Sequence, residues 1–180
     1  MRRAAVVIAG VVLILGAAVA LSLVLSSRDD AGIGDAPAAT GPGELQRDLG
    51  SKHLPADQHV PLDSLTDPPT SGAHHPRLPT RDAAVLSPDQ ILHSLELGDV
   101  ILFYGGARPP SELRAVQDDI SGPFDAEVAA AGQQVILARR PGTDGVVAAA
   151  WRRLLRAPDA GDPRLRTFAE AWIGRGVRGG

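Results

Sequence analysis

The sequence predicts an α/β chain, bordering on α+β: a small mixed-sheet sandwich of about three strands and three helices, preceded by a transmembrane helix. Three observations predict it. Residues 4–27 carry no charge. From residue 87 onward, segments of helical and strand character follow in the order helix–strand–helix–strand–strand–helix, the pattern of helices packed on a sheet. Between these regions lies a proline-rich stretch with no hydrophobic period of either kind.

The first element is "MRRAAVVIAGVVLILGAAVALSLVLSS". A bilayer core needs about 20 apolar residues as helix, so residues 1–27 are expected to form an N-terminal anchor. Arg2 and Arg3 would stay cytoplasmic, which predicts a single-pass protein of the cell membrane with its C-terminal domain outside the cytoplasm. "AVA" at 18–20 fits a cleavable signal, but the apolar run continues through Leu25, beyond the usual length of such a signal.

Residues 28–51 are rich in Gly, Ala, Pro and Asp and read as a flexible linker. The globular domain is expected over residues 52–176. Its first part, to residue 86, reads as irregular but ordered, since so long a free loop is unusual in a compact domain. "SPDQILHSLELG" (87–98) then carries a Ser N-cap, Pro at the first helical position, Gln three residues after the cap and a terminal Gly, the signature of a capping box with a glycine stop. "DVILFYG" (99–105) is mostly apolar and reads as a central strand. "PPSELRAVQDDI" gives a second helix from Ser111, with Leu113, Val116 and Ile120 on one side. "QVILARR" (134–140) and "VVAAAW" (146–151) read as two strands of a hairpin about "PGTDG". The last helix runs from about Pro163, with Leu165, Phe168, Trp172 and Ile173 as its buried stripe. "GRGVRGG" reads as a frayed tail.

Composition excludes several functions. There is no cysteine, so thiol catalysis, disulfides and thiolate-bound metal are ruled out. Leaving aside Arg2 and Arg3, 16 basic residues face 21 acidic ones. Such a domain is a poor partner for nucleic acid. No G-x-S-x-G elbow, P-loop or dinucleotide fingerprint occurs, so no catalytic residue is assigned and the chain reads as more binding protein than enzyme.

The sharpest chemical feature is the placement of histidine. All five, His53, His59, His74, His75 and His93, lie before residue 94. Imidazole is the commonest metal ligand, and a proline-stiffened loop such as "TDPPTSGAHHP" (66–76) loses little entropy on ligation. His74, His93 and Glu96 are the candidate ligand-binding residues. His74, His93 and His75 are the candidate metal ligands, with copper or zinc suited to imidazole. The bland alternative has His74 and His93 pinning the loop to the helix through hydrogen bonds, in a non-catalytic domain that docks another envelope protein. His53 and His59 read as ordinary surface residues near the linker, and Trp151 and Trp172 as core.

"DPPTSGAHHP", "ILHSLELGDVILFYG" and "VVAAAW" together resemble the bacterial family known as domain of unknown function 3105. Its members typically carry a PPTSGPH-like loop, an HSLEHG-like helix end leading into a strand, and a later AWG segment. The resemblance spans roughly residues 55–174. It carries over onto Pro68, Pro69, Ser71, Gly72 and His74 in the loop, His93 to Glu96 and Gly98 at the helix end, then Tyr104 and Trp151, and weakly onto His59. It implies an uncharacterised, often membrane-anchored protein with a polar site between loop and helix. This chain departs from the pattern at three places: Ala73 precedes His74, Arg152 follows the tryptophan, and Leu97 stands where a second helix histidine belongs. The last departure removes a chelating pair spaced i, i+4.

Overall fold

The computed structural model describes residues 40–59 and 65–177. Its centre is a five-stranded mixed sheet in the order β1-β5-β4-β2-β3, formed by β1 Glu44–Leu45, β2 Val100–Tyr104, β3 Val135–Arg139, β4 Val146–Ala150 and β5 Arg153–Ala157. Strands β2 and β3 are parallel, and the other neighbours are antiparallel. Four helices flank the sheet among the described residues: α1 Pro88–Leu97, α2 Ser111–Ile120, α3 Ala126–Ala130 and α4 Arg164–Trp172.

Both faces of the inner strands are covered, which explains their unbroken apolar runs. Val100, Leu102 and Tyr104 of β2 pack with Leu113 and Val116 of α2 and with Leu165, Phe168 and Trp172 of α4. The alternate residues Ile101 and Phe103 turn to the opposite face, against Ile91 and Leu95 of α1 and Ala129 of α3. Each large side chain buried this way contributes about 1.5–3 kcal/mol relative to exposure.

The expected three strands and three helices thus become five and four. Strand β5, "RLLRA", has an arginine at each end of its polar pattern; Arg153 is tolerated because its guanidinium lies 4.9 Å over the Trp172 ring. Strand β1 is two residues long and α3 five, too short for any period to register. The hairpin expected between residues 134–140 and 146–151 is not formed. β2 lies between β3 and β4, and the tight hairpin joins β4 to β5 through Trp151 and Arg152. Arg152 takes a left-handed φ of 56°, so this turn lacks the Gly or Asn that announces such a conformation.

The transmembrane helix expected over residues 1–27 lies outside the described residues. Among those described, no helix is long and apolar enough to cross a membrane. The longest have ten residues, about 15 Å at 1.5 Å per residue, against a hydrocarbon core of about 30 Å. The anchor, the membrane as partner and the single-pass placement outside the cytoplasm are corrected accordingly: the described domain supplies no spanning element.

Helix α1 begins as its sequence requires. The Ser87 hydroxyl accepts from the Gln90 amide at 3.3 Å, and the Gln90 side-chain oxygen accepts from the Ser87 amide at 3.1 Å. Replacing Ser87 with alanine should cost about 1 kcal/mol, read as a lower urea midpoint with an unchanged slope. The helix ends at Gly98, whose φ of 120° is open to glycine alone.

The segment before the loop, read from composition as linker, is partly folded. The Trp172 indole N–H donates to the Pro42 carbonyl at 2.9 Å. β1 pairs with β5, and Gln46 N–H donates to the Arg152 carbonyl at 2.9 Å.

Candidate metal centre

Three elements deliver the site. The first is the loop after the cis Asp67–Pro68 peptide. Thr70 and Ser71 are fully buried. The Ser71 hydroxyl donates to the Arg47 carbonyl and accepts from the Leu49 amide, both at 3.0 Å. These bonds lay residues 50–54 alongside residues 72–74: Gly72 N–H donates to the Gly50 carbonyl, His74 N–H to Lys52, and Leu54 N–H to His74. The parallel bridge between His53 and His74 brings their rings to 5.1 Å. The third element is α1. Its buried Leu92 and Leu95 fix the face that presents His93 and Glu96.

The result is a cluster of His53, His74, His93 and Glu96, each offering one donor atom, with all four atoms within 4.8 Å of one another. Glu96 Oε2 lies 2.8 Å from His53 Nε2, 3.1 Å from His74 Nε2 and 3.3 Å from His93 Nδ1. His74 Nε2 and His93 Nδ1 are 3.4 Å apart. Donors bonded at about 2.0–2.1 Å to one tetrahedral ion stand about 3.3–3.4 Å from each other. The edges among His74, His93 and Glu96, at 3.1–3.4 Å, are close to that figure, while His53 lies nearer to Glu96, at 2.8 Å.

The proton on His74 is assigned by its neighbours. Its Nδ1 lies 2.9 Å from the Gly72 carbonyl oxygen, which can only accept, so Nδ1 carries a hydrogen. In the neutral ring Nε2 is then a bare lone pair, and it faces a carboxylate oxygen at 3.1 Å. Two acceptors at that distance repel unless a cation stands between them or the ring takes a second proton. His74 is fully buried.

The electrostatics run in the same sense. Burial holds the His93 imidazole below its usual value, against the hydrogen bond to Glu96. Burial alone would raise the Glu96 carboxyl, but the hydrogen bond from His53 and the charge of neighbouring imidazoles outweigh it and keep the carboxyl low. The cluster grades from the buried His74 to His53, whose side chain is 48% exposed.

Of the residues singled out in the sequence, His74, His93 and Glu96 therefore meet. His75 does not join them. Its Nε2 donates to the Gln58 carbonyl at 3.0 Å, and its ring faces His59 at 5.9 Å. Alternation along the extended loop turns it to the opposite side from His74. His53, read as a surface residue, takes the fourth place. Its only signal in the sequence was membership of the early histidine group. Position 97 supplies no donor, and the carboxylate three residues after His93 does.

Fold and site define a small α/β sandwich with a preassembled cluster of three histidines and one carboxylate. The chain belongs to the family described as protein of unknown function (DUF3105), whose profile matches residues 53–177. No curated protein and no solved structure matches the chain.

Proposed function

We propose that this domain binds a divalent transition-metal ion through His53, His74, His93 and Glu96. The observation that carries this reading is the Nε2 of His74 facing Glu96 Oε2 at 3.1 Å while its Nδ1 is engaged by the Gly72 carbonyl. Metal-ligating histidines are typically oriented by such a second hydrogen bond. The low carboxyl of Glu96 and the lowered imidazole of His93 favour the deprotonated forms that ligation needs.

Three nitrogens and one oxygen suit zinc or copper(II). The described domain contains no thiolate or thioether, so copper(I) is the poorer fit. The cluster's three nitrogens and one carboxylate oxygen are the donors for binding an ion. The competing reading makes the cluster a lock between loop and helix, with His74 doubly protonated.

Calorimetric titration of the untagged chain, stripped by chelator, distinguishes the two. One equivalent of zinc or copper(II) should bind tightly, and His75→Ala should bind as wild type. Absence of uptake for both ions would leave the loop lock as the reading.

A further inference from the structure

We propose that the C-terminal segment Ile173–Val177 is a positioning part of this metal site, acting through the backbone of Glu96. The inference rests on the metal-binding reading above. The last carbonyls of any helix lack intrahelical partners, and Glu96 is the penultimate residue of α1. Its carbonyl accepts from the Val177 amide at 2.7 Å. One turn of chain away, the Gly98 carbonyl accepts from the Gly174 amide at 2.9 Å. The end of the helix that bears the carboxylate is thus capped by residues 174–177.

The approach is close enough to demand glycine. A Cβ on Gly176 would stand 2.0 Å from the Glu96 carbonyl oxygen and 2.4 Å from the Leu97 carbonyl carbon. A Cβ on Gly98 would stand 2.9 Å from the Gly174 carbonyl carbon and 3.0 Å from the Gly176 nitrogen. Residues 174–177 are therefore a docking segment, in which Gly176 lets one backbone lie directly against another.

The segment matters for Glu96 more than for the histidines. His74 is held by its loop and by Gly72, and His93 lies a turn deeper in α1 between the buried Leu92 and Ser94. Glu96 sits where helices fray. A glutamate on a frayed turn must give up both backbone and rotamer freedom when it is fixed. Holding its backbone in advance leaves only the side-chain torsions to settle. The family match, residues 53–177, ends at the residue that makes this cap.

The test is Val177→Pro, which removes the capping N–H and sets the proline ring against the Glu96 carbonyl, with Val177→Ala as control and Gly176→Ala as a second route to undocking. Zinc and copper(II) affinity are measured alone and in a Glu96→Gln background, with circular dichroism to verify the fold. The expected result is a fall in affinity of about 10–100-fold for Val177→Pro, the size seen when a ligand loses its outer support. Gly176→Ala should show the same fall, Val177→Ala none. In the Glu96→Gln background Val177→Pro should cause no further loss, because the coupling runs through that residue. Wild-type affinity in both undocked variants, or an undiminished fall in the Glu96→Gln background, overturns the inference and leaves the metal site standing. Failure of the wild-type chain to bind either ion overturns the metal reading and this inference with it.

Discussion

Replacing His74 with alanine should abolish tight metal binding and destabilise the fold together. The ring is fully buried and contacts three partners: the Gly72 carbonyl, Glu96 and His93. Its loss removes the one donor whose orientation is held by a backbone carbonyl. The fall in affinity should exceed the roughly 10–100-fold that follows loss of outer support alone. Stability should drop by about 1–3 kcal/mol, the cost of leaving a buried polar group without its partner. His53→Ala, at the exposed edge, should weaken binding with a smaller loss of stability. Calorimetry and urea unfolding on the same preparations separate the two effects. Equal metal affinity for His74→Ala and wild type would sink the proposed site.

Asp99→Asn should stabilise the domain at pH 8 and remove its loss of stability above neutral pH. Asp99 links α1 to β2 and is fully buried. Its Oδ1 accepts from the Gln134 amide at 2.9 Å. Its Oδ2 and the nearby Ser94 hydroxyl are buried without a well-formed hydrogen bond. Burial pushes the carboxyl up to about 8, against the bond from Gln134. Unfolded, the same group ionises near its ordinary value of 3.8. The folded state thus holds a proton that the unfolded state releases above about pH 4. The contribution to stability is fully present below that pH and is lost as pH rises through about 8, with a slope of up to about 1.4 kcal/mol per unit. Asparagine keeps the Oδ1 acceptor, offers a donor toward Ser94 and cannot ionise. Thermal unfolding from pH 7 to 9, above the range in which His93 and Glu96 contribute, tests this. The wild-type midpoint should fall with rising pH while that of Asp99→Asn stays nearly level. A variant less stable than wild type at pH 8 would refute the account.

How much of this was legible in the residues depended on the kind of signal. Helix α1 was fully legible, because Ser87, Pro88, Gln90 and Gly98 are local instructions that the backbone obeys without reference to the rest of the chain. Strands β2, β3 and β4 were legible as apolar runs, but their order was not. The insertion of β2 between the other two is decided by packing on both faces, and "PGTDG" reads like a hairpin turn whether or not its strands pair. The β4–β5 turn was hidden by Arg152, which holds a left-handed φ with no glycine to mark it. The resembled family carries glycine there, and the observed φ gives the physical reason. At the site, His74, His93 and Glu96 were legible from a loop and a helix. His53 was not, because it arrives through the Ser71 hydroxyl and a three-residue ladder, contacts between segments with no period of their own. The tail misled for a similar reason: Gly176, which read as fraying, is there for close contact.

The bridge between His53 and His74 has a consequence for the polymer as a whole. The three imidazoles stand 21 and 19 residues apart along the chain, and the described residues of the first interval hold no helix or strand beyond the bridge itself. An ion held by all three would act as a cross-link at three points. Closing one loop of about 20 residues removes roughly 3 kcal/mol of unfolded-chain entropy, and a clip that closes two in succession removes more. In a sequence without cysteine, the irregular third of the domain would owe its place beside the sheet to coordination chemistry in the way secreted domains owe theirs to sulfur.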